Sequence, residues 1–501
     1  MQKNDSDILV LGSGMGGMSA ASLLANDGYN VRVLEGDHLP GGSSSTYYRK
    51  GYLFETGATT LIGFDEGQPL SRLEQMLNIS LPKQEINPAM TVWMDSRPLI
   101  RFKDKNLWID EAARYFGNSA GQRKFWDKAF RVAETVWQSS GKNPFFPPQS
   151  LAEWFKLANN NNPLDAPVLR FGLMSVRQVM KQCNVDSPEF RAFVDEQLMI
   201  TAQARAAETP FLFGAAGLTY TNYSNYYVPG GLIELIRKLQ EKLESDGGEL
   251  LCRQRVTSIA QKGGEYEVKT EKGDRFFAPV VISSIPVWNM PELTRDKMSK
   301  WFQKYAERYT HAWGAFTIGI AAKDSFPDDQ TLHHQLHLNK PVPHIDSGSV
   351  FASFSMKDDM LRAPEGERVI NISCHTKTDR WFKFGENYDD RKKETESFIL
   401  EFLNHKLPGF QRENVAVVFS GTPVTWQNWI FRKAGRVGGI PQSMKRSLLD
   451  WTPAKTPFDG LFMAGDTVFP GQGIPGVTLS GINVYYRVSN SAKAGLVSAS
   501  A

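Results

Sequence analysis

Near the start of the chain, Gly12-Ser13-Gly14-Met15-Gly16-Gly17 sets glycine at the spacing G-x-G-x-x-G. The apolar run Ile8-Leu9-Val10-Leu11 precedes it and reads as a buried strand. Residues 15–26 carry small and apolar side chains at helical spacing, and Gly28 ends that helix. In this setting each glycine has a task. Gly12 permits the tight turn, Gly14 lets the backbone approach a pyrophosphate, and Gly17 lets the helix lie against the strand. Met15 and Gly16 open a helix whose free N–H groups and partial positive charge face the phosphates. Glu35 follows the next strand, 30–34, about 20 residues on, where a carboxylate accepts the ribose hydroxyls of an adenosine. Gly41-Gly42 come after Pro40 and permit a second close backbone approach. Taken singly that pair is equally a plain turn. Together with the first unit it points to FAD, because an NAD site needs the first unit alone.

A second glycine run lies at the far end of the chain. Gly465-Asp466 follows the strand-like run 461–464, and Gly471-Gln472-Gly473-Ile474-Pro475-Gly476-Val477-Thr478 opens a final helix. Positions 471, 473 and 476 satisfy the same glycine pattern, but no Asp or Glu occurs after Asp466. The acidic ribose ligand is missing, so this run is not a second dinucleotide fold. The reading we adopt places Asp466 on the ribityl or pyrophosphate side. Gly473 then lies in the loop, and N–H groups near Val477 and Thr478 face the pyrimidine edge of a flavin. A helix N-terminus there favours the negative charge that develops at N1 and O2 on reduction. Val256, on the strand after Gly247-Gly248, either packs a core or sets its backbone against adenine. The run 283–286 holds the same two alternatives at the pyrophosphate.

No Ser, Cys or His triad is evident, and no catalytic residue is assigned. His333, His334 and His337 include an i, i+4 pair, yet no acid or cysteine stands near at ligand spacing. Leu332, Leu336 and Leu338 alternate around them as in a strand, so no metal site is expected. The three cysteines, Cys183, Cys252 and Cys374, are far apart and form no C-x-x-C. That usage fits a reducing, cytoplasmic setting. The start, 1–7, lacks the basic and apolar runs of a signal peptide, and no stretch reaches the roughly 18 apolar residues of a membrane span.

The elements that must position these residues are scattered over 501 residues. Nucleotide-fold pieces fall at the beginning, in the middle (a helix over 232–243, strands at 249–253, 256–259 and 280–282) and at the end. Between them, 66–220 is helical in pattern and 290–450 mixes strand-like stretches such as 315–321 with helices. The expected class is α/β: a discontinuous Rossmann-type FAD-binding domain over 1–65, 225–290 and 451–501, with an interleaved α+β substrate domain over 66–224 and 291–450. Lys and Arg number 57 against 54 Asp and Glu, a net charge of +3 that gives no reason to expect nucleic acid. The chain has 12 Trp, 31 Phe and 15 Tyr, enough for a large core and also for walls of a long apolar cavity. The aromatic stretch 211–227 fits either use. Phe145-Phe146, Trp154-Phe155 and Leu157, among Lys156, Arg170, Arg177 and Lys181, fit a packed helix or a face that lies on a membrane.

Taken together, Val10-Leu11-Gly12-Ser13-Gly14-Met15-Gly16-Gly17, Glu35 with Leu39-Pro40-Gly41-Gly42, Pro229-Gly230-Gly231, and 465–473 resemble the carotenoid oxidoreductases. That family holds phytoene desaturases, carotenoid isomerases and retinol saturases, within the larger amine-oxidase-like flavoprotein group. The resemblance implies non-covalent FAD, a tunnel for a lipophilic polyene and peripheral membrane contact. By likeness, Gly12, Gly14, Gly17, Glu35, Gly42, Val256 and Asp466 match FAD contacts. The 470–473 loop is similar to the isomerase and saturase branch. Ser43-Ser44-Ser45 departs from the Arg or Lys that many desaturases carry there. Desaturation, isomerisation and saturation of a polyene all remain open, as do an amine oxidase and a non-catalytic flavin- or carotenoid-binding protein. The sequence names no electron acceptor, and a quinone or oxygen both fit.

Overall fold

Ile8–Leu11 is buried at every position, as a central parallel strand should be. In the computed structural model, which describes residues 4–95 and 97–493, it is the middle of a five-stranded sheet. The spatial order is Glu249–Leu251, Val31–Leu34, Ile8–Leu11, Val280–Ser283, Leu461–Met463, and every pairing is parallel. Five short strands from the beginning, middle and end of the chain therefore make one sheet. A four-stranded sheet, in which Asn4–Asp5, Arg275–Ala278, Glu265–Thr270 and Val256–Lys262 are neighbours in that order, lies at the same end.

Helix Met15–Asn26 begins where the sequence predicts, and nearly all of it is buried. It lies between helix Ile233–Ser245 and the last helix, Ile474–Lys493. Its approach to the last helix is backbone on backbone. A Cβ on Gly16 would lie 2.9 Å from the Val477 carbonyl, and one on Gly481 would lie 2.4 Å from the Gly16 carbonyl. Residue 16 meets 477 and the turn around 20 meets 481, so the two helices run side by side with their N-termini level.

The remaining chain differs from its sequence pattern at one place. The pattern predicts helices over 66–220, and the stretch does hold Pro69–Leu77, Lys105–Phe116, Ser119–Lys142, Leu151–Asn160, Pro188–Thr201 and Phe211–Leu218. It also holds strands Gln84–Ile86, Met90–Trp93 and Pro98–Arg101. These runs are too short for periodicity to separate from irregular chain. The last two extend a seven-stranded sheet whose other members are Val415–Gly421, Gly314–Lys323, Glu367–Thr376, Ser349–Phe354 and His333–His337. Met90–Trp93 pairs with the histidine strand in parallel, the one parallel step in that sheet among the described residues. The three histidines sit buried on that strand: His333 Nδ1 meets Ser353 Oγ at 2.9 Å, and His334 is held by Trp93 Nε1 at 3.0 Å and the Thr331 carbonyl at 2.9 Å.

A buried ion pair ties the hairpin strand Tyr52–Glu55 to the turn that carries Arg362. Glu55, on hairpin strand Tyr52–Glu55, accepts from Thr46 Oγ1 (2.7 Å), from the Leu232 amide (3.2 Å) and from Arg362 Nη1 (2.9 Å). Arg362 Nε in turn donates to the Leu53 carbonyl. Three distant parts of the chain meet on one carboxylate with almost no solvent. Removing one partner of such a pair costs about 3–5 kcal/mol, because the other charge stays buried alone. Arg362→Met should therefore lower the urea unfolding midpoint clearly, and the double variant Arg362→Met, Glu55→Gln should recover a large part of the loss.

Candidate functional site

The strand-to-helix turn at Gly12 opens onto a cavity of about 840 Å³. It is within the size range of sites that enclose a small molecule or cofactor, about 300–1,000 Å³. Gly12, Gly14, Met15, Gly16, Glu35, Gly41, Gly42, Val256, Asp466, Gly473 and Val477 all line it. So residues from the first 42 positions, the middle and the end of the sequence converge on one wall.

Gly14 faces open space: the nearest atom that a Cβ there would meet is Ser284 Oγ at 3.7 Å. A ligand fits there and a side chain would occupy its place. Gly17 behaves differently. Its Cβ would lie 2.4 Å from the Gly12 carbonyl, so glycine is required there for helix-on-strand packing, the task read from the motif. It does not line the cavity.

Glu35 is buried and held by three donors. Oε2 accepts from the Ser13 amide at 2.9 Å and Ser13 Oγ at 2.6 Å, and Oε1 accepts from the Asp37 amide at 2.9 Å. Ser13 Oγ also accepts from the Gly41 amide at 3.0 Å. One hydroxyl thus links both glycine turns to the carboxylate. Burial raises the Glu35 pKa above the usual carboxylate range, while the donors from Asp37 and Ser13 pull it back. Oε1, which accepts only one of these donors, keeps lone-pair capacity for a further hydroxyl donor.

At the other glycine run, Asp466 pairs with Arg432 Nη2 at 2.6 Å. Arg432 is not legible from sequence: it lies in a turn-rich segment with no motif, and only the fold brings it to Asp466. The last helix starts at Ile474. The sequence pattern sets the free amides near Val477 and Thr478. The Val477 amide instead donates to the Gly473 carbonyl at 2.9 Å, closing the first helical turn. Thr478 is buried within the helix, its hydroxyl donating to the Ile474 carbonyl at 2.7 Å, and it does not line the cavity. The amides without a partner inside the helix are those of its opening residues, Ile474 and Gly476. Both line the cavity.

Beyond the glycine turns the walls become apolar, with Ile62, Trp137, Met199, Ile200, Phe213 and Phe351. Of the aromatic stretch 211–227, Phe213 and Tyr220 line the cavity, whereas Phe211 packs into the helical core against Phe125 and Phe171. Both readings of that stretch hold, each for different residues.

A glycine turn at a helix N-terminus, a buried carboxylate and a second helix N-terminus on one cavity suit a flavin dinucleotide. The chain belongs to the family of flavin-containing amine oxidoreductases, which it matches over residues 15–488. It is a flavin-dependent oxidoreductase with FAD as its cofactor. Prolycopene isomerase of Daucus carota is 28% identical, over 96% of this chain and 80% of that protein. All-trans-retinol 13,14-reductase of Danio rerio is 24% identical, over 92% and 82%. The structure of putrescine oxidase bound to putrescine superimposes with a TM-score of 0.64 at 14% identity, over 97% and 99%. That likeness establishes the fold.

The donors around Glu35 make a specific expectation. Losing hydrogen bonds to a charged group costs about 1.5–3 kcal/mol. Glu35→Ala should weaken FAD and ADP binding by about 10- to 100-fold by titration, while riboflavin, which lacks the adenosine, should bind as it does to the unaltered protein.

Proposed function

We propose that this chain acts on a long isoprenoid polyene, and that cis–trans isomerisation is the reaction its site supports best. The observation that carries this is the shape and chemistry of the cavity: one end is a backbone cradle for a dinucleotide, the other an apolar slot. The relatives that share the chain from end to end include an isomerase and a reductase of polyenes. In this reading 1–65, 225–290 and 451–501 hold FAD non-covalently, and 66–224 with 291–450 hold the substrate.

Bound FAD supplies a carrier that takes up or returns two electrons at the cavity. The protein does the rest. Gly14 and the amides at the start of helix Met15–Asn26 receive the pyrophosphate. Glu35 takes the ribose. The opening amides of helix Ile474–Lys493 stabilise negative charge where its N-terminus meets the cavity. Met199, Ile200 and Phe351 keep water away from a hydrocarbon and hold it extended, which is the positioning that such chemistry needs.

A water-insoluble substrate must reach this slot. Helix Leu151–Asn160 buries none of its side chains, and Leu151 (79%), Phe155 (71%), Leu164 (78%) and Leu173 (78%) stand out in solvent. Lys156 and Arg170 lie among them. Asn161 ties this patch to the end of helix Ser119–Lys142 through Ser139 Oγ at 2.6 Å and Asn143 Nδ2 at 3.0 Å. On that same helix Trp137 and Ser140 line the cavity. Among the described residues no helix is long and apolar enough to cross a membrane. The patch therefore suits a peripheral seat on a lipid surface, with the slot beside it. An apolar-plus-basic face beside an apolar slot fits a lipid-borne substrate better than a soluble amine.

The FAD-loaded protein, given cis-polyenes in vesicles with the flavin reduced, should convert them to trans isomers by chromatography. Dehydrogenated products with oxidised flavin would assign desaturation instead. No change in any polyene, alongside peroxide from putrescine, would overturn the polyene reading. Leu151→Ser with Phe155→Ser should weaken vesicle binding by at least about 10-fold in sedimentation, since each buried side chain of this size contributes about 1.5–3 kcal/mol.

A further inference from the structure

One carboxylate in the apolar half of the cavity stands apart. Glu196 lies on helix Pro188–Thr201, one turn before Met199 and Ile200, and all three line the cavity. The other acids of the wall are accounted for: Glu35 and Asp37 lie at the ribose end, Asp466 pairs with Arg432, Glu271 with Arg255 and Glu292 with Lys433. Among the described residues Glu196 has no ion pair. Its oxygens accept from the Gly348 amide at 2.9 Å and from Ser349 Oγ at 2.7 Å.

Behind Ser349 runs a chain of buried hydrogen bonds. Arg101 Nη1 donates to Gln197 Oε1 at 2.8 Å, and Gln197 Nε2 donates to Gln335 Oε1 at 2.5 Å. Gln335 Nε2 donates to Ser349 Oγ at 3.3 Å, and Ser349 donates to Glu196. Every donor points towards the carboxylate. Arg101 is fully buried, with its guanidinium 4.0 Å from the Trp108 ring centre and no acid paired to it among the described residues. A buried cation and a buried carboxyl set apart are each costly. Aligned amide dipoles between them reduce both costs, since bonds in such a chain polarise one another.

We propose that Glu196 is the acid–base group of the polyene reaction, and that Arg101, Gln197, Gln335 and Ser349 are positioning residues that hold its carboxyl and set its proton affinity. This rests on the polyene reading above. The carboxyl gives its proton to one carbon of the conjugated chain. The electron pair of that π bond forms the new C–H bond, and the positive charge spreads along the remaining double bonds. The bond that has lost double character turns, and the carboxylate takes a proton back from the same carbon. Electrons and protons balance with no oxidant or reductant.

Burial raises the Glu196 pKa above the usual range, against the pull of Ser349, Gly348 and Arg205, and Asp195 adds to the rise. Cys374 is near enough for Glu196 to raise its thiol further, after burial. His375 lines the same cavity and is held neutral by burial, its pKa lowered to about 4. Burial thus shifts the Glu196 carboxyl towards holding its proton and the His375 ring towards losing one.

The test uses the FAD-loaded protein with the flavin reduced, as above, and a cis-polyene in vesicles in deuterated water. Wild-type product should carry deuterium on the chain. Glu196→Gln should bind FAD as the wild type does yet turn over at least about 100-fold more slowly, without deuterium, the usual scale for losing a general acid. Glu196→Asp should recover part of the rate. Gln335→Leu should cut Glu196 off from Arg101, disfavour the carboxylate, and move the alkaline limb of the rate profile to higher pH with KM unchanged. Without any turnover, an infrared carboxylic-acid band present at neutral pH in the wild type should vanish in Glu196→Gln. A wild-type rate with deuterium in Glu196→Gln, or no such band in the wild type, overturns this proposal alone. No turnover of any polyene by the wild type brings down the polyene reading and this proposal with it.

Discussion

The contact between Gly16 and Gly481 is the constraint on which the site depends. Two helices from opposite ends of the chain touch through their backbones, with a carbonyl where any side chain would need to be. At that distance the helices cannot slide, so the N-terminus of Met15–Asn26 and that of Ile474–Lys493 are level, the first just past the carboxyl end of the central strand Ile8–Leu11. Each terminus brings unpaired amides and a partial positive charge. A ligand with negative charge at separated points, phosphates at one and a reducible ring at the other, matches the pair of them.

The two sheets do different work around this pair of helices. The parallel sheet is fully buried along Ile8–Leu11, Val280–Ser283 and Leu461–Met463 and supplies rigid turns, so the cofactor end of the cavity is made of backbone and a few fixed polar groups. The seven-stranded sheet faces the cavity with side chains: Thr317, Ser349, Phe351 and His375 come from four positions on three of its strands. Between them, Glu55 accepts from the Leu232 amide and from Arg362, while its own amide donates to Asn371 Oδ1 on strand Glu367–Thr376.

Much of the cradle is legible in sequence because its information is local. Gly12, Gly14, Gly17 and Glu35 fall within one strand–helix–strand unit, and the glycine pattern declares both the turn and the close approach. Gly41-Gly42 and Asp466 are legible as glycine-turn neighbours. The Val477 amide is taken up inside the helix, since sequence shows that a helix begins near a glycine but not which amide is its last unpaired one. Arg432, Glu196 and Gln335 carry no local signal. Each acts through a partner far away in the chain, and a single polar residue in an apolar helix or strand looks the same whether it faces a core, a cavity or solvent. The strands within 84–101 escape sequence reading for a related reason: they are three or four residues long, and only their pairing with Asn225–Tyr227, with the histidine strand and with one another makes them strands.

The histidine strand shows how a structural detail shapes a site without entering it. Burial holds His333, His334 and His337 near 4, 3 and 4, so all three stay neutral through the physiological range. Neutral rings leave Gln335, between them in sequence, without a competing positive charge. Its amide is then free to orient by Gln197 on one side and Ser349 on the other. A protonated ring in the same strand would compete with Arg101 as the source of positive potential and weaken the directionality of the chain towards Glu196. Three buried histidines of low proton affinity are thus consistent with a strand whose polar function is concentrated in the one residue that connects the helical layer to the cavity.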